Sequence, residues 1–590
     1  MKLKEKFGKY DVDFWIGLCI TFVIALFTTF FTLWLGSGKE GFELFVSSEG
    51  AFYIFLYNFI LVFFSFGILY FLTNNIVIAN GVLILFYCLL TVINRAKLFY
   101  RGIPLYYNDI YLLKEISNII KNTSALSFVL ICFLIAIFIM LMAILSRIIK
   151  TTKINIKIRL GVVFTLAVAF FILNSTLLTQ NTEYSHKGFL YSIVYEFNNR
   201  KIMPDYTDGI DQLIINKYEN AEDITTELPT IIMIQGEAYS ELGMSEKFNF
   251  NGHDDPYKNY KEIIKNSYYN KIVVPNFGGG TSDTEFDILT GMNTRFLRFA
   301  PYPYALIAKK IDALPSMLKK LGYYTTAIHP WKKDFYERDR VFKLIGFDEF
   351  ITLDSFDINR AKGGFPSEEQ TFERIINDYS DFTKKNKNTP YFSFNITIQN
   401  HAPFGGKYEV EKNFNTDMQL SMSDEKAITD YFVGIKDIDI ELKKILDFFE
   451  EENKPVVVVY WSDHLPALNS QLFSTESMDS AVEKNLFENI VPFFIWENST
   501  SKENLDLVSK LKAMNINGPM SDFYLPSILF DALGFQGLSY YIDYNNGLLK
   551  EYPILLEKGY VDNFGSYVEY SEDEKIKYYL ELMDFRLKSQ

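Results

Sequence analysis

Pro455-Val-Val-Val-Val-Tyr-Trp461, followed at once by Ser462-Asp463-His464, is the stretch whose reading decides the fold. A continuous apolar run of this kind suits a strand buried on both faces, as in a parallel sheet covered by helices. The arrangement recurs upstream. Thr230-Ile-Ile-Met-Ile-Gln235 leads to Glu237, Tyr323-Tyr-Thr-Thr-Ala-Ile328 to His329, and Tyr391-Phe-Ser-Phe-Asn-Ile-Thr-Ile398 to Gln399-Asn400-His401. Helix-like stretches lie between, among them Leu306–Leu321 and Asp424–Glu451. Strand and helix in alternation predict an α/β fold with a central, mostly parallel sheet covered by helices. Ligands of such sheets bind beyond the carboxyl ends of the strands, so the polar residues gathered there are a candidate site.

The densest segment is Asn276-Phe-Gly-Gly-Gly-Thr281-Ser-Asp-Thr-Glu285. Glycines allow close backbone approach and left-handed angles. Thr281 then opens a helix, whose first N–H groups and positive potential suit a phosphate. The alternative is a glycine-rich turn with Thr281 or Ser282 as an ordinary helix cap. A P-loop is excluded, because no Gly-Lys-Ser/Thr follows. Glu237, Asp463 and His464 offer two carboxylates and an imidazole, an oxygen-rich set that fits Mn²⁺ or Mg²⁺, with Zn²⁺ also possible. A threonine hydroxyl is a weak nucleophile at neutral pH, and a metal beside it makes alkoxide accessible.

Outward from this segment the composition changes. Five apolar runs near the N-terminus are long enough to span a bilayer: Phe14–Leu35, Ala51–Leu72, Ile76–Ile93, Leu126–Leu145 and Leu160–Leu178. They carry almost no ionisable residues, which favours an anchor over a transport path. Lys2, Lys4, Lys6 and Lys9 precede the first run, and Arg147, Lys150, Lys153, Lys157 and Arg159 crowd the loop before the fifth. Both segments are therefore expected inside, and the long C-terminal part outside. The loop Asn94–Ala125 disagrees, since it is expected outside yet carries Arg95, Lys97, Arg101, Lys114 and Lys121. The organisation expected is a five-span membrane domain over 1–178, a juxtamembrane linker over 179–227 and a catalytic domain over 228–590. The net charge of −14 argues against a nucleic-acid partner. Cys19, Cys88 and Cys132 are the only cysteines and all lie in the apolar part. The domain after it therefore has no disulfide framework, no Cys-based zinc site and no Cys nucleophile.

The ordered set Gly236-Glu237-Ala-Tyr-Ser, Gly280-Thr281-Ser-Asp-Thr-Glu285-Phe, His329 through Arg338, Asn400-His401-Ala-Pro-Phe and Ser462-Asp463-His464 resembles the lipoteichoic acid synthases. These are membrane phosphoglycerol transferases of the alkaline phosphatase and sulfatase superfamily. Ser521-Asp522-Phe-Tyr-Leu-Pro526 through Gly534 is similar to the closing segment of that superfamily. The resemblance implies a bacterial multi-pass membrane protein with an extracellular catalytic domain. It implies that Glu237, Thr281, Asp463 and His464 bind one Mn²⁺, and that Thr281 is the nucleophile. Arg338 and His401 would contact the phosphoglycerol group, with His401 as general acid; Tyr336 and His329 would line the substrate site. The donor implied is phosphatidylglycerol or a related lipid, and the acceptor an envelope polymer or glycan. Two positions depart from the pattern: the family usually has Trp where Tyr336 stands and Asp where Trp331 stands, both on its glycerol side. The rivals are a phosphoethanolamine transferase or other phosphodiester-cleaving member of the superfamily, and, from another class, a non-catalytic envelope glycan-binding protein.

Overall fold

The computed structural model describes residues 12–47, 51–101, 154–177 and 227–588, apart from 298–301, 470–471, 474–485 and 571–572, with isolated positions at 105, 138, 140–142, 144–146, 190, 191 and 193. The chain separates into two compact units, Met1–Lys201 and Ile202–Gln590.

Four long helices are described in the first unit: α1 (Val12–Ser47), α2 (Ala51–Thr73), α3 (Ile76–Arg101) and α4 (Ile156–Leu177). Three carry stretches long and apolar enough to cross a membrane, Cys19–Gly36, Phe55–Thr73 and Ile76–Arg95, matching the first three expected spans. The run Leu160–Leu178 falls on α4. The run Leu126–Leu145, the loop Asn94–Ala125 and the linker 179–227 lie largely outside the described residues. Large apolar side chains such as Phe27, Phe52 and Phe164 are exposed on these helices, as a lipid-facing surface requires and a water-facing one rarely shows. Some polar groups pair between helices: the Ser65 and Tyr87 hydroxyls lie 2.8 Å apart, and Asn94 Nδ2 donates to the Gly36 carbonyl at 2.9 Å.

The second unit is built on an eight-stranded sheet. Its strands are β1 (Thr230–Gly236), β2 (Tyr268–Val273), β3 (Tyr324–Ile328), β4 (Glu349–Ile351), β5 (Tyr391–Ile396), β6 (Val456–Ser462), β7 (Ile490–Glu497) and β8 (Met520–Ser521). Across the sheet the order is β8-β2-β7-β6-β1-β5-β3-β4. Every pairing is parallel except those of β7, which runs antiparallel to β2 and β6. The valines of β6 and the isoleucines of β1 are completely buried, as their unbroken apolar runs predict for strands covered on both faces.

Five helices frame the site: α5 (Thr281–Thr290), α6 (Arg338–Ile345), α7 (Glu368–Lys385), α8 (Met422–Glu450) and α9 (Leu525–Leu533). The Ser421 hydroxyl accepts the Asp424 N–H, so α8 starts slightly before the expected Asp424. The helix expected over Leu306–Leu321 is shorter, running only Leu314–Lys320 after a separate 3-10 turn at Pro303–Leu306. Pro315 sets this start, because its missing N–H and its ring are tolerated only in a first turn.

Candidate active site

Parallel pairing brings the ends of β1 and β6 level, with Gly236 beside Ser462. The residues that follow, Glu237, Asp463 and His464, are all buried, and one ligand atom from each lies within 4.8 Å of the others. Asp463 spends Oδ1 on the N–H groups of Ala238 and His464, both at 2.8 Å, while its Oδ2 is buried with no hydrogen-bond partner. His464 is oriented the same way. Its Nδ1 lies 2.9 Å from the Leu465 carbonyl, which fixes Nδ1 as the protonated nitrogen, and Nε2 is buried without a partner. Nε2 stands 3.2 Å from Asp463 Oδ2 and 3.7 Å from Glu237 Oε1. Burial first, and the Asp463 carboxylate second, push the Glu237 carboxyl well above its usual range. Two buried carboxylates and an imidazole lone pair converging without donors is an arrangement that a cation satisfies. The donor set therefore fits a divalent metal.

Thr281 is held against this cluster through its backbone and its helix. Gln235 Nε2 donates to the Thr281 carbonyl at 3.3 Å, and Gln235 Oε1 accepts from Trp461 Nε1 at 3.1 Å. One turn on, the Thr284 hydroxyl donates to the Asp463 carbonyl at 2.7 Å, while the Gly278 N–H donates to the Leu465 carbonyl at 3.1 Å. Gly280, the residue before α5, has φ +92°, and a Cβ there would run into the Asn276 amide. Only glycine fits that position.

Arg338 opens α6 from an unusual turn, since Tyr336 (φ +57°) and Glu337 (φ +60°) are both left-handed. Such angles cost non-glycine residues about 1–3 kcal/mol each and persist where surrounding contacts impose them. Here Tyr302 donates to Glu337 at 2.6 Å and the Tyr336 ring lies 5.1 Å from the Arg338 guanidinium. The turn delivers Arg338 into the interior, where Nε donates to Glu285 Oε2 at 2.9 Å and Nη2 to Glu285 Oε1. Both side chains are essentially inaccessible, at 1% and 0% exposure. His329, expected to line the substrate site, is also buried, with Nδ1 3.2 Å from the Ile396 carbonyl. Burial and the Arg338 charge lower its pKa well below the usual imidazole value, so it is neutral.

His401 is exposed on the loop after β5, with Nδ1 2.6 Å from the Ala402 carbonyl. The loop is tied at both ends. Asp430 of α8 accepts the N–H groups of Gly405, Gly406 and Lys407, each at 2.7 Å, and that of Tyr408 at 3.2 Å. Lys407 folds back, its ammonium donating to the carbonyls of Gln399 and, at 2.7 Å, His401. Burial lowers the Lys407 pKa to about 8, against the attraction of Glu237 and Asp430.

The sulfatase family profile matches residues 229–535. The chain belongs to the sulfatase family. It is 27% identical to the putative cyclic beta-1,2-glucan modification protein of Rhizobium meliloti (strain 1021) over 56% of this chain and 52% of that protein. It is 25% identical to lipoteichoic acid synthase 1 of Bacillus subtilis (strain 168) over 34% of this chain and 30% of that protein. The chain thus spans about half the length of the first relative and less of the second. Among solved structures, the Streptococcus pyogenes phosphoglycerol transferase GacH, in complex with sn-glycerol-1-phosphate, aligns with TM-score 0.45 and 19% identity, covering 64% of this chain and 94% of that one.

Several residues of this sulfatase-family site escaped the sequence reading. Glu285 lay inside a quoted motif, but nothing in its spacing marked it as the partner of an arginine 53 positions away. Lys407 and Asp430 had no pattern around them. Glu368, the first residue of α7, is completely buried and its carboxyl is pushed up to about 8 by burial. Thr397, whose hydroxyl accepts the Glu237 N–H at 3.0 Å, was visible only as a strand residue.

Proposed function

We propose that this chain is a membrane-anchored transferase that moves phosphoglycerol from phosphatidylglycerol to an envelope polymer or glycan through a covalent Thr281 intermediate. The observation that carries the reading is the buried convergence of Glu237, Asp463 and His464, with unpartnered Asp463 Oδ2 and His464 Nε2, beside the glycine-led start of α5. Glu237, Asp463, His464 and Thr281 Oγ1 would hold the metal, Mn²⁺ in the first instance and Mg²⁺ or Zn²⁺ otherwise. When bound, it would supply positive charge that lowers the pKa of the Thr281 hydroxyl and offsets charge on the phosphoryl oxygens.

The chain's own groups do the rest. Thr281 Oγ1 attacks phosphorus, and the bond to the diacylglycerol oxygen breaks. Since Nδ1 of His401 is bound to the Ala402 carbonyl, Nε2 is the atom assigned to protonate that leaving oxygen. The N–H groups at the start of α5 face developing negative charge at low reorganisation cost. The Glu285 fork holds Arg338 rigid, and Nη1, which donates one hydrogen to the Phe335 carbonyl at 3.4 Å, is assigned through its other hydrogen to a phosphoryl oxygen. Neutral His329 and Tyr336 line the same side. In the second half an acceptor hydroxyl attacks and Thr281 is restored. The five apolar runs and their lysine and arginine loops support a multi-pass bacterial membrane protein with this unit outside, where its lipid donor lies.

The test is diacylglycerol release from fluorescent phosphatidylglycerol by the full-length protein in detergent with Mn²⁺, with phosphatidylethanolamine in parallel and Thr281→Ala as control. Release from phosphatidylglycerol alone, lost in Thr281→Ala, is the expected outcome. Release from phosphatidylethanolamine instead would make the chain a phosphoethanolamine transferase, and release from neither a non-catalytic binding protein.

A further inference from the structure

Three separate segments put aromatic rings in a row next to His401. Trp331 follows His329 at the end of β3; its N–H donates to the His329 carbonyl at 2.7 Å and its own carbonyl accepts from Leu353 at 3.0 Å. Phe365 comes from a small hairpin pairing Ala361–Lys362 with Phe365–Pro366. The ring centroids of Trp331 and Phe365 are 5.4 Å apart, and those of Phe365 and His401 also 5.4 Å. The row is rigid. Gly363 turns the hairpin at φ +62° with no room for a Cβ against Lys407, whose ammonium lies 5.2 Å from the Phe365 ring centroid. That same ammonium and Asp430 hold the His401 loop.

Within this row Phe365 is buried and Trp331 is partly exposed. In the second unit the other two tryptophans, Trp461 and Trp496, are buried in the sheet. The exposed neighbours of Trp331 in sequence are Lys333 and Asp334. An acyl chain gains by burying a long apolar surface, whereas one partly exposed indole followed by two exposed charged residues offers little of it. A pyranose has the opposite shape: a ring-sized C–H face that stacks on an aromatic plane, edged by hydroxyls that suit polar neighbours.

We propose that Trp331 is the acceptor platform of the transferase, receiving a sugar ring of a neutral glycan and presenting one of its hydroxyls toward His401. This rests on the phosphoglycerol transfer proposed above and names its acceptor class. In the step it serves, the sugar oxygen bonds to phosphorus and the bond from phosphorus to Thr281 Oγ1 breaks. The hydroxyl proton passes to His401 Nε2, which gave one up to diacylglycerol, and Thr281 returns to its starting alkoxide.

The experiment uses full-length protein in detergent with Mn²⁺, a neutral β-glucan hexasaccharide as probe, and Trp331→Ala and Trp331→Phe as variants. Tryptophan fluorescence of the wild type should be quenched by the hexasaccharide, and the quench lost in Trp331→Ala. With fluorescent phosphatidylglycerol as donor, the KM for hexasaccharide should rise at least tenfold relative to the donor KM in Trp331→Ala, and Trp331→Phe should recover most of it. A KM unchanged within twofold overturns the inference. So does a quench by phosphatidylglycerol micelles with none by hexasaccharide, which would give Trp331 to the lipid. Wild type that releases diacylglycerol yet never labels the sugar removes the acceptor assignment and leaves the donor reading standing. A protein that quenches but releases nothing supports the platform and removes the donor reading.

Discussion

Glu285→Leu is the substitution whose effect follows most directly from the structure. It removes the acceptor of two Arg338 donors and of the Tyr304 hydroxyl, and leaves the guanidinium unpaired at 1% exposure. Stranding one partner of a buried pair costs about 3–5 kcal/mol. A unit of roughly 360 residues unfolds with an entropy of about 0.75 kcal/mol per kelvin near its midpoint, so the transition should fall by about 4–7 °C. Trp461 and Trp496, buried in the sheet, report this transition by fluorescence in the full-length protein. Pairing the change with Arg338→Met replaces both charges by apolar groups, and the midpoint should return to within about 2 °C of wild type. The double variant should then be folded yet inactive, because no guanidinium remains for the phosphoryl group. A single variant that melts within a degree of wild type, or a double variant as unstable as the single, refutes the reasoning.

Asp430→Ala removes the acceptor of four loop N–H groups; turnover should fall about 10–100-fold through misplacement of His401, checked by steady-state diacylglycerol release. Gly280→Ala forces a side chain onto a left-handed residue against Asn276; metal-dependent activity should be lost while far-UV circular dichroism stays native. Asp522 is raised to about 7 by burial, so its contribution to stability is complete below its unfolded value near 4 and is lost as pH rises through 7. Asp522→Asn should flatten the fall in melting temperature between pH 4 and 7, read in a buffered thermal series. Mn²⁺ at a hundred times its dissociation constant should add about 2.7 kcal/mol, a rise of about 3–4 °C, and Asp463→Asn should abolish the rise.

The legible part of the fold was the part with uninterrupted patterns. Val456–Val459 and Ile231–Ile234 have no polar residue to interrupt them, so their burial on both faces was readable, and with it the strand ends that carry Glu237 and Asp463-His464. β7, Ile490–Glu497, is equally apolar, yet nothing local gives its direction: parallel and antiparallel central strands bury the same side chains. Lys407 and Glu285 stayed hidden for another reason. A lysine folded under its own loop and a glutamate facing a guanidinium inside the core have the same sequence appearance as solvated charges. Only long-range packing distinguishes them.

β1 is the first strand of the sheet in the chain and sits between β5 and β6, which begin about 160 and 225 residues later. At a synthesis rate of about 5–20 residues per second, β1 waits roughly 8–32 s with both edges unpaired and roughly 11–45 s before its second partner is made. Four consecutive apolar side chains, Ile231–Ile234, with open backbone donors and acceptors form a segment to which other chains adhere. The order of manufacture therefore makes the centre of this sheet its most aggregation-exposed element, and the ligand triad comes together only when β6 docks.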